Sequence, residues 1–280
     1  MAPMKYALDV APLGEFADPL ALVRLARAAE ASGWDGFSIW DTLGLAMGTV
    51  APDPFVALAG AAMATDRIGL LASVIVLPRR RPWLVAQAAA TLDRLSGGRL
   101  ILGIGAGGDR PDFEKFGEGW ESPARVERMD EAAGLVDAFL RGETVTHHGP
   151  AFDVDGVAIG PRPVQQPRPP IWMGAFRRGG IRRAARTDGW IAVTVGEDGA
   201  SLGKAPDALA ADIAFAHAER AAAGLDRAFD IAVFGQSGLG GFGPEDFEAV
   251  GATWWLESVS GMRGSLDDVL RIAEAGPRRS

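Results

Sequence analysis

Eight short apolar runs, each followed by a helix-spaced segment, recur along this chain of 280 residues, and that count limits the fold more than any other feature. The runs are Tyr6–Val10, Phe37–Trp40, Ile68–Leu77, Leu100–Gly105, Pro170–Gly174, Trp190–Val195, Ile231–Phe234 and Thr253–Val259. The spacing predicts helices over Pro19–Ser32, Pro54–Thr65, Trp83–Ser96, Ala124–Arg141, Gly180–Thr187, Pro206–Ala223, Pro244–Val250 and Leu266–Ala275. Val126, Met129, Ala133, Val136 and Leu140 step by three and four, as do Leu84, Ala88, Leu92 and Leu95, so one stripe of each helix is set for burial. Runs such as ILGI and SVIVL do not alternate with polar residues, which suits parallel strands covered on both faces. A doubly wound sheet and a closed barrel both satisfy such alternation. Eight units in about 250 residues have the dimensions of a TIM (β/α)8 barrel, whose sites lie at the C-terminal ends of its strands. That α/β fold is expected over residues 1–280 as a single domain.

One connection is longer than a simple loop. About sixty-five residues separate the fourth strand from the fifth, and the segment TVTHHGPAFDVDGVAIGPRPVQQPRPP alternates polar and apolar residues around Gly149-Pro150 and Gly156. A hairpin-containing insertion with a proline-rich return is expected there.

Composition narrows the chemistry. The chain has no Cys and three His (His147, His148, His217), which removes thiolate zinc sites and cysteine nucleophiles and leaves little for a histidine-rich metal centre. No metal is expected, and redox or transfer chemistry would have to be lent by a cofactor. With 28 basic against 36 acidic residues the net charge is −8, which argues against a nucleic-acid partner. No run reaches the ~18 apolar residues of a membrane helix, and the start of the chain, with Lys5 and then Asp9, is not built like a signal peptide. A cytoplasmic protein without a membrane partner is expected.

Several segments point to a site at the strand ends. Gly103, Gly105 and Gly108 satisfy G-x-G-x-x-G, the spacing of a dinucleotide turn, but Asp109-Arg110-Pro111-Asp112 follows where an immediate helix would be needed. What remains is a loop from Gly105 to Gly108, almost bare of side chains, that is either a tight turn or a place where a flat ligand comes close. Gly174-Ala175-Phe176-Arg177-Arg178-Gly179-Gly180 follows the fifth strand and opens a helix, a junction suited to an anion; the alternative is an arginine-rich solvated helix face. Asp41 ends the second strand, where it would serve as a general base, as a partner for a heterocycle, or as a cap. Ser73 is the only hydroxyl in GLLASVIVLP, so a buried polar group there needs a partner. Glu257 ends the eighth strand facing either inward or outward, and His147-His148 lies in the hairpin.

The blocks LDRLSGGRLILGIGAG (92–107), ERMDEAAGLVDAFLRGE (127–143), GPRPVQQPRPPIWMGAF (160–176) and RRAARTDGW (182–190) resemble, in order and spacing, the bacterial luciferase-like family of flavin- and deazaflavin-dependent oxidoreductases. The resemblance implies a TIM barrel that binds FMN or coenzyme F420 in its mouth and acts on a small organic substrate, either as a monooxygenase using reduced FMN and O2 or by hydride exchange with F420. It implies a bulge in the third strand behind the ring, at Ser73-Val74, where the family often has a non-proline cis peptide. The cofactor phosphate is implied at Gly174, Ala175, Phe176, Arg177, Arg178, Gly179 and Gly180, with Ala106, Gly107 and Gly108 as neighbours. Asp41 falls on the family's polar step after strand two and is the expected catalytic residue. F420 members commonly read Asp-His there, where this chain reads Asp41-Thr42; luciferase has an arginine where this chain has Ala106, and some F420 members have an acid at the place of Gly108. A flavin-binding protein of the same fold without turnover is therefore the alternative. Family members often pair through helices two and three, so Phe55, Leu58, Met63, Leu84 and Leu92 are candidates for a homodimer surface or for core.

Overall fold

The computed structural model describes residues 3–192, 205–239 and 241–279. In chain order the strands are β1 (Lys5–Val10), β2 (Gly36–Ile39), β3 (Gly69–Val76), β4 (Leu100–Gly105), β5 (Val145–His148), β6 (Asp153–Val157), β7 (Ile171–Ala175), β8 (Gly189–Ala192), β9 (Asp230–Gly235) and β10 (Trp254–Val259). Eight of them close a parallel barrel in the order β1-β10-β9-β8-β7-β4-β3-β2. The remaining pair, β5 and β6, is an antiparallel hairpin between β4 and β7. The barrel settles the choice against a doubly wound sheet. The expected extension of the sixth barrel strand to Val195 lies outside the described residues.

The helices are α1 (Pro19–Ala31), α2 (Pro54–Ala64), α3 (Pro82–Leu95), α4 (Pro111–Glu114), α5 (Ser122–Leu140), α6 (Arg178–Ala184), α7 (Pro206–Ala222), α8 (Pro244–Ala249) and α9 (Leu266–Ala275). Proline opens α1, α2, α3, α7 and α8, where its missing N–H costs nothing. Side chains cap three starts: Asp18 accepts from Leu20 N, Asp53 from Phe55 N and Val56 N, and Ser265 from Asp268 N. The short α4 has no apolar periodicity of its own and escapes a sequence reading.

Two apolar layers result. Ala7, Leu71, Trp172, Ile191, Ala232, Trp254 and Leu256 pack together inside the barrel, while the larger cluster lies between the strands and the helices. The buried face of α3 is Val85, Ala89 and Leu92 rather than the expected Leu84, Ala88, Leu92 and Leu95; Leu84 and Leu95 are exposed. Alanines pack closest to the strands and turn the helix away from its leucines. Of the residues considered for pairing, Phe55, Leu58 and Leu92 are core, whereas Met63 and Leu84 are exposed, as is Val56. The proline-rich return is pinned to α3 by buried Asp93, whose oxygens accept from Val164 N (2.7 Å), Gln165 N (3.0 Å) and Gln165 Nε2 (2.7 Å).

One irregularity shapes the mouth. The register of β3 against β4 shifts between Ala72 and Ile75, so β3 carries one residue more than its neighbour, and the Ser73–Val74 peptide is cis. The glycines of the fourth strand answer this bulge. A Cβ at Gly103 would lie 2.1 Å from the Ala72 carbonyl oxygen, and one at Gly105 would lie 2.6 Å from Val74 Cγ2. The G-x-G spacing is thus packing relief for β3, not a pyrophosphate turn. Gly105→Ala is expected to destabilise the protein by about 1–3 kcal/mol through overpacking. Gly108, whose Cβ would meet nothing within 4 Å, should accept Ala within about 0.5 kcal/mol. Denaturant unfolding of the two variants checks the contrast; equal stability would remove Val74 as the reason for Gly105.

Candidate functional site

The floor of the mouth has a polar side and an apolar side. Asp9 on β1 pairs in register with Ser38 on β2 and with Ser258 on β10, two steps above Ala7 and Leu256 of the inner cluster, so these side chains continue the inward-facing column. Asp9 is fully buried. Its Oδ1 accepts from Ser38 Oγ at 2.6 Å and Ser73 Oγ at 2.9 Å, and its Oδ2 from Trp40 Nε1 at 2.8 Å. Burial pushes the Asp9 carboxyl up from 3.8 to about 6, against the pull of those three hydrogen bonds. Ser73 therefore faces the barrel interior and finds its partners on β1 and β2. The sequence reading missed Asp9; its one signal is an acid inside the apolar run YALDV.

Across from that corner, half-buried Val74 lies against glycine: a Cβ at Gly174 would come 3.0 Å from Val74 Cγ1, as Gly105 does from the other side. The loop 106–108 leaves β4 without bulk. Gly107, at φ +80, has no room for a Cβ, which would lie 2.7 Å from Val76 Cγ1. Val74 thus stands on a floor kept flat by Gly105 and Gly174, a cradle that a side chain at either glycine would fill.

At the rim, Asp41 is neither a cap nor a free base. Its Oδ2 accepts from Val76 N (2.9 Å) and Arg80 Nε (3.0 Å), and its Oδ1 from Arg79 Nη2 (3.1 Å) and Arg80 Nη2 (3.0 Å). The helix-capping role belongs to Asp53 instead. Thr42, beside it, donates toward Asp109 and Asp112, while Arg79 Nη1 reaches Asp112 Oδ2 at 2.9 Å. Asp41, expected as a general base, a heterocycle's partner or a cap, is thus held by two arginines from RRRPW, an arrangement that no local pattern announces. Glu257 faces outward, accepting from Trp255 Nε1, Ser237 and Arg263.

The junction after β7 keeps its arginines apart in use. Arg182 and Arg183 pair with Glu219 and Asp130, as a solvated helix face would. Arg177 is exposed, next to exposed Phe176, and among the described residues it forms no ion pair; exposed Arg178 lies 3.5 Å from Asp212 and over Phe215. Ala175 approaches Gly180 so closely that a Cβ on Gly180 would sit 2.9 Å from Ala175 Cβ. Arg125, another residue the sequence reading missed, stacks on Trp120 at 3.6 Å, with Nε and Nη1 buried and without hydrogen-bond partners among the described residues. It lines a cavity of about 320 Å³ with Pro78, Phe113 and Arg128, beside the β3 and β4 loops. The hairpin histidines lie elsewhere, with His147 on Glu131 (2.8 Å) and His148 on Asp153 (2.6 Å).

A flat, glycine-floored apolar surface bordered by buried hydroxyls suits a planar ring, and Arg177, without an ion pair among the described residues, suits an anionic tail. Residues 7–236 match the model of the luciferase-like monooxygenase family. An uncharacterised protein of Mycobacterium tuberculosis is 30% identical over 249 residues, 82% of each chain. Two solved structures share the fold across nearly the whole chain. A monooxygenase from Streptomyces bottropensis superposes with a TM-score of 0.80 at 19% identity, covering 97% of both chains. The coenzyme F420-dependent tetrahydromethanopterin reductase of Methanopyrus kandleri gives 0.77 at 17% identity, covering 98% of this chain and 99% of that one. The chain belongs to the luciferase-like monooxygenase family.

Proposed function

We propose that this protein is an oxidoreductase that holds FMN or coenzyme F420 in the barrel mouth and acts on a small organic molecule. The observation that carries this reading is the floor at Val74, cleared by Gly105 and Gly174 and bordered by Ser73. The bound group would supply the redox chemistry. The chain's own residues do the rest: Val74 supports one ring face, Ser73 offers a hydroxyl at its edge, and the apolar column below excludes water. Arg177 and Arg178, with backbone N–H groups from Ala175 to Gly180, would hold the phosphate, with Ala106, Gly107 and Gly108 leaving room beside it. Arg125 can take a further anionic group.

In this reading Asp41 is a positioning residue that fixes Arg79 and Arg80 and, through Val76 N, the end of β3. The competing reading, a flavin-binding protein without turnover, draws on the same clamping: Asp41, Asp112 and Glu257 all hold arginines.

Titration of the purified chain with FMN and with F420, followed by fluorescence, tests the central reading. One of the two should bind at least about tenfold more tightly, a difference near 1.4 kcal/mol. Failure of both to bind at micromolar concentrations would overturn it. Arg177→Ala and Arg178→Ala should each weaken that binding by roughly tenfold, the worth of a charge-assisted hydrogen bond, without shifting the melting temperature. Unchanged affinity in both variants would remove them from the site.

Asp41→Asn takes one of two carboxylates from each of Arg79 and Arg80, which keep Asp112 and Asp53, and the Asp41 side chain is only 2% exposed, so a loss of about 3 kcal/mol in stability is expected. Abolished turnover at an unchanged melting temperature would return Asp41 to a catalytic role.

A further inference from the structure

The polar corner beneath the bulge contains more oxygen contacts than hydroxyl protons. Asp9 Oδ1, Ser38 Oγ and Ser73 Oγ form a triangle with edges of 2.6, 2.5 and 2.9 Å. Each serine hydroxyl brings one proton and an ionised carboxylate brings none, so two protons would have to serve three short edges. The unserved edge would press two bare oxygens together. A third proton, on the carboxyl, completes the ring.

The surroundings agree with this count. Asp9 is fully buried, and among the described residues no cation pairs with it. On β2 its neighbours are neutral Ser38 and Trp40, and the next charge, Asp41, is spent on Arg79 and Arg80. On β10 its register partner is Ser258, whose buried hydroxyl has no partner among the described residues, and the adjacent Glu257 turns outward to Arg263. On β3 it meets Ser73, and on the apolar side of the mouth stand Gly105 and Gly174. Burial without a counter-cation is what pushes this carboxyl up to about 6.

We propose that Asp9 is a positioning residue that holds this third proton, so that its carboxyl donates to Ser73 Oγ and the Ser73 hydroxyl is released to donate a hydrogen bond to an acceptor atom of the ring bound on the bulge. The proposal rests on the flavin-type reading of the mouth. The Asp9 and Ser73 protons stay on their own oxygens, so no covalent bond breaks and no electrons change hands. Because Ser73 is released only while Asp9 is protonated, ligand binding should weaken as pH rises through its titration.

Two measurements test this. Infrared difference spectra of the ligand-free protein between about pH 5 and about pH 8 should show the C=O stretch of one protonated carboxyl disappearing, at a pH far above that of an ordinary carboxylate. Its midpoint should lie near 6, and Asp9→Asn should lack it. Titration with FMN and with F420 over the same range should show the affinity of the bound one falling by up to about tenfold per pH unit above that midpoint. Asp9→Asn and Ser73→Ala should flatten this dependence, whereas Ser73→Ala keeps the infrared band because its acid remains. Should Asp9→Asn fail to fold, Ser73→Ala against Ser38→Ala carries the test, since Ser38 lies off the route and its loss should leave the pH dependence. Absence of the band, or an equal pH dependence in wild type and Ser73→Ala, would overturn the proposal. If neither ligand binds at any pH, the functional reading and the hydrogen bond to the ligand fall together, while the band still decides whether Asp9 holds the proton.

Discussion

Strand β3 holds one residue more than β4 between Ala72 and Ile75, and the barrel mouth is arranged around that surplus. In a closed parallel barrel an extra residue cannot be absorbed at an edge, because there is none. Val74 is pushed up into the mouth and Ser73 is turned toward β1 and β2. The neighbours must then yield space, which explains glycine at 103, 105 and 174, and must supply hydrogen-bond partners, which explains Asp9 and Ser38. A packing demand and a polar demand from the same bulge thus produce the two unlike halves of one floor.

Charge around the mouth is distributed by the same economy of partners. The chain as a whole carries −8, yet its rim acids are engaged: Asp41 and Asp112 hold Arg79, and Glu257 holds Arg263. Such pairs fix loops more than they add stability, since each buried charge costs much of what its partner returns. The guanidiniums without an acid among the described residues, Arg177 at the β7 junction and Arg125 in its cavity, give the mouth a local positive character that net charge conceals. An anionic ligand is the complement of that distribution.

Much of the fold was legible because it depends on periodicity. Eight runs, their helices and the long fourth connection follow from spacing, and proline at helix starts makes the boundaries visible. The bulge region was legible only through the resemblance, which pointed to Ser73-Val74, while the lone hydroxyl marked Ser73. Asp9 was not, since a single acid in a strand carries no periodic signal, and its burial depends on Ser38 and Ser73, 29 and 64 residues away. Asp41 was legible as an acid at a strand end, but its clamp was not, because it comes from arginines 38 and 39 residues on. The orientation of α3 was misjudged for a related reason: leucine marks an apolar stripe, but close approach to the barrel selects alanine. Periodicity reports which residues can be buried, and only the assembled neighbours decide which of them are.

The most direct measurement is a crystal structure of the protein with FMN or F420 bound. The ring should lie on Val74 above Gly105 and Gly174, with Ser73 at its edge and the phosphate against the backbone between Ala175 and Ile181. A ring seated in the Arg125 cavity, or a phosphate held away from Arg177 and Arg178, would contradict the account.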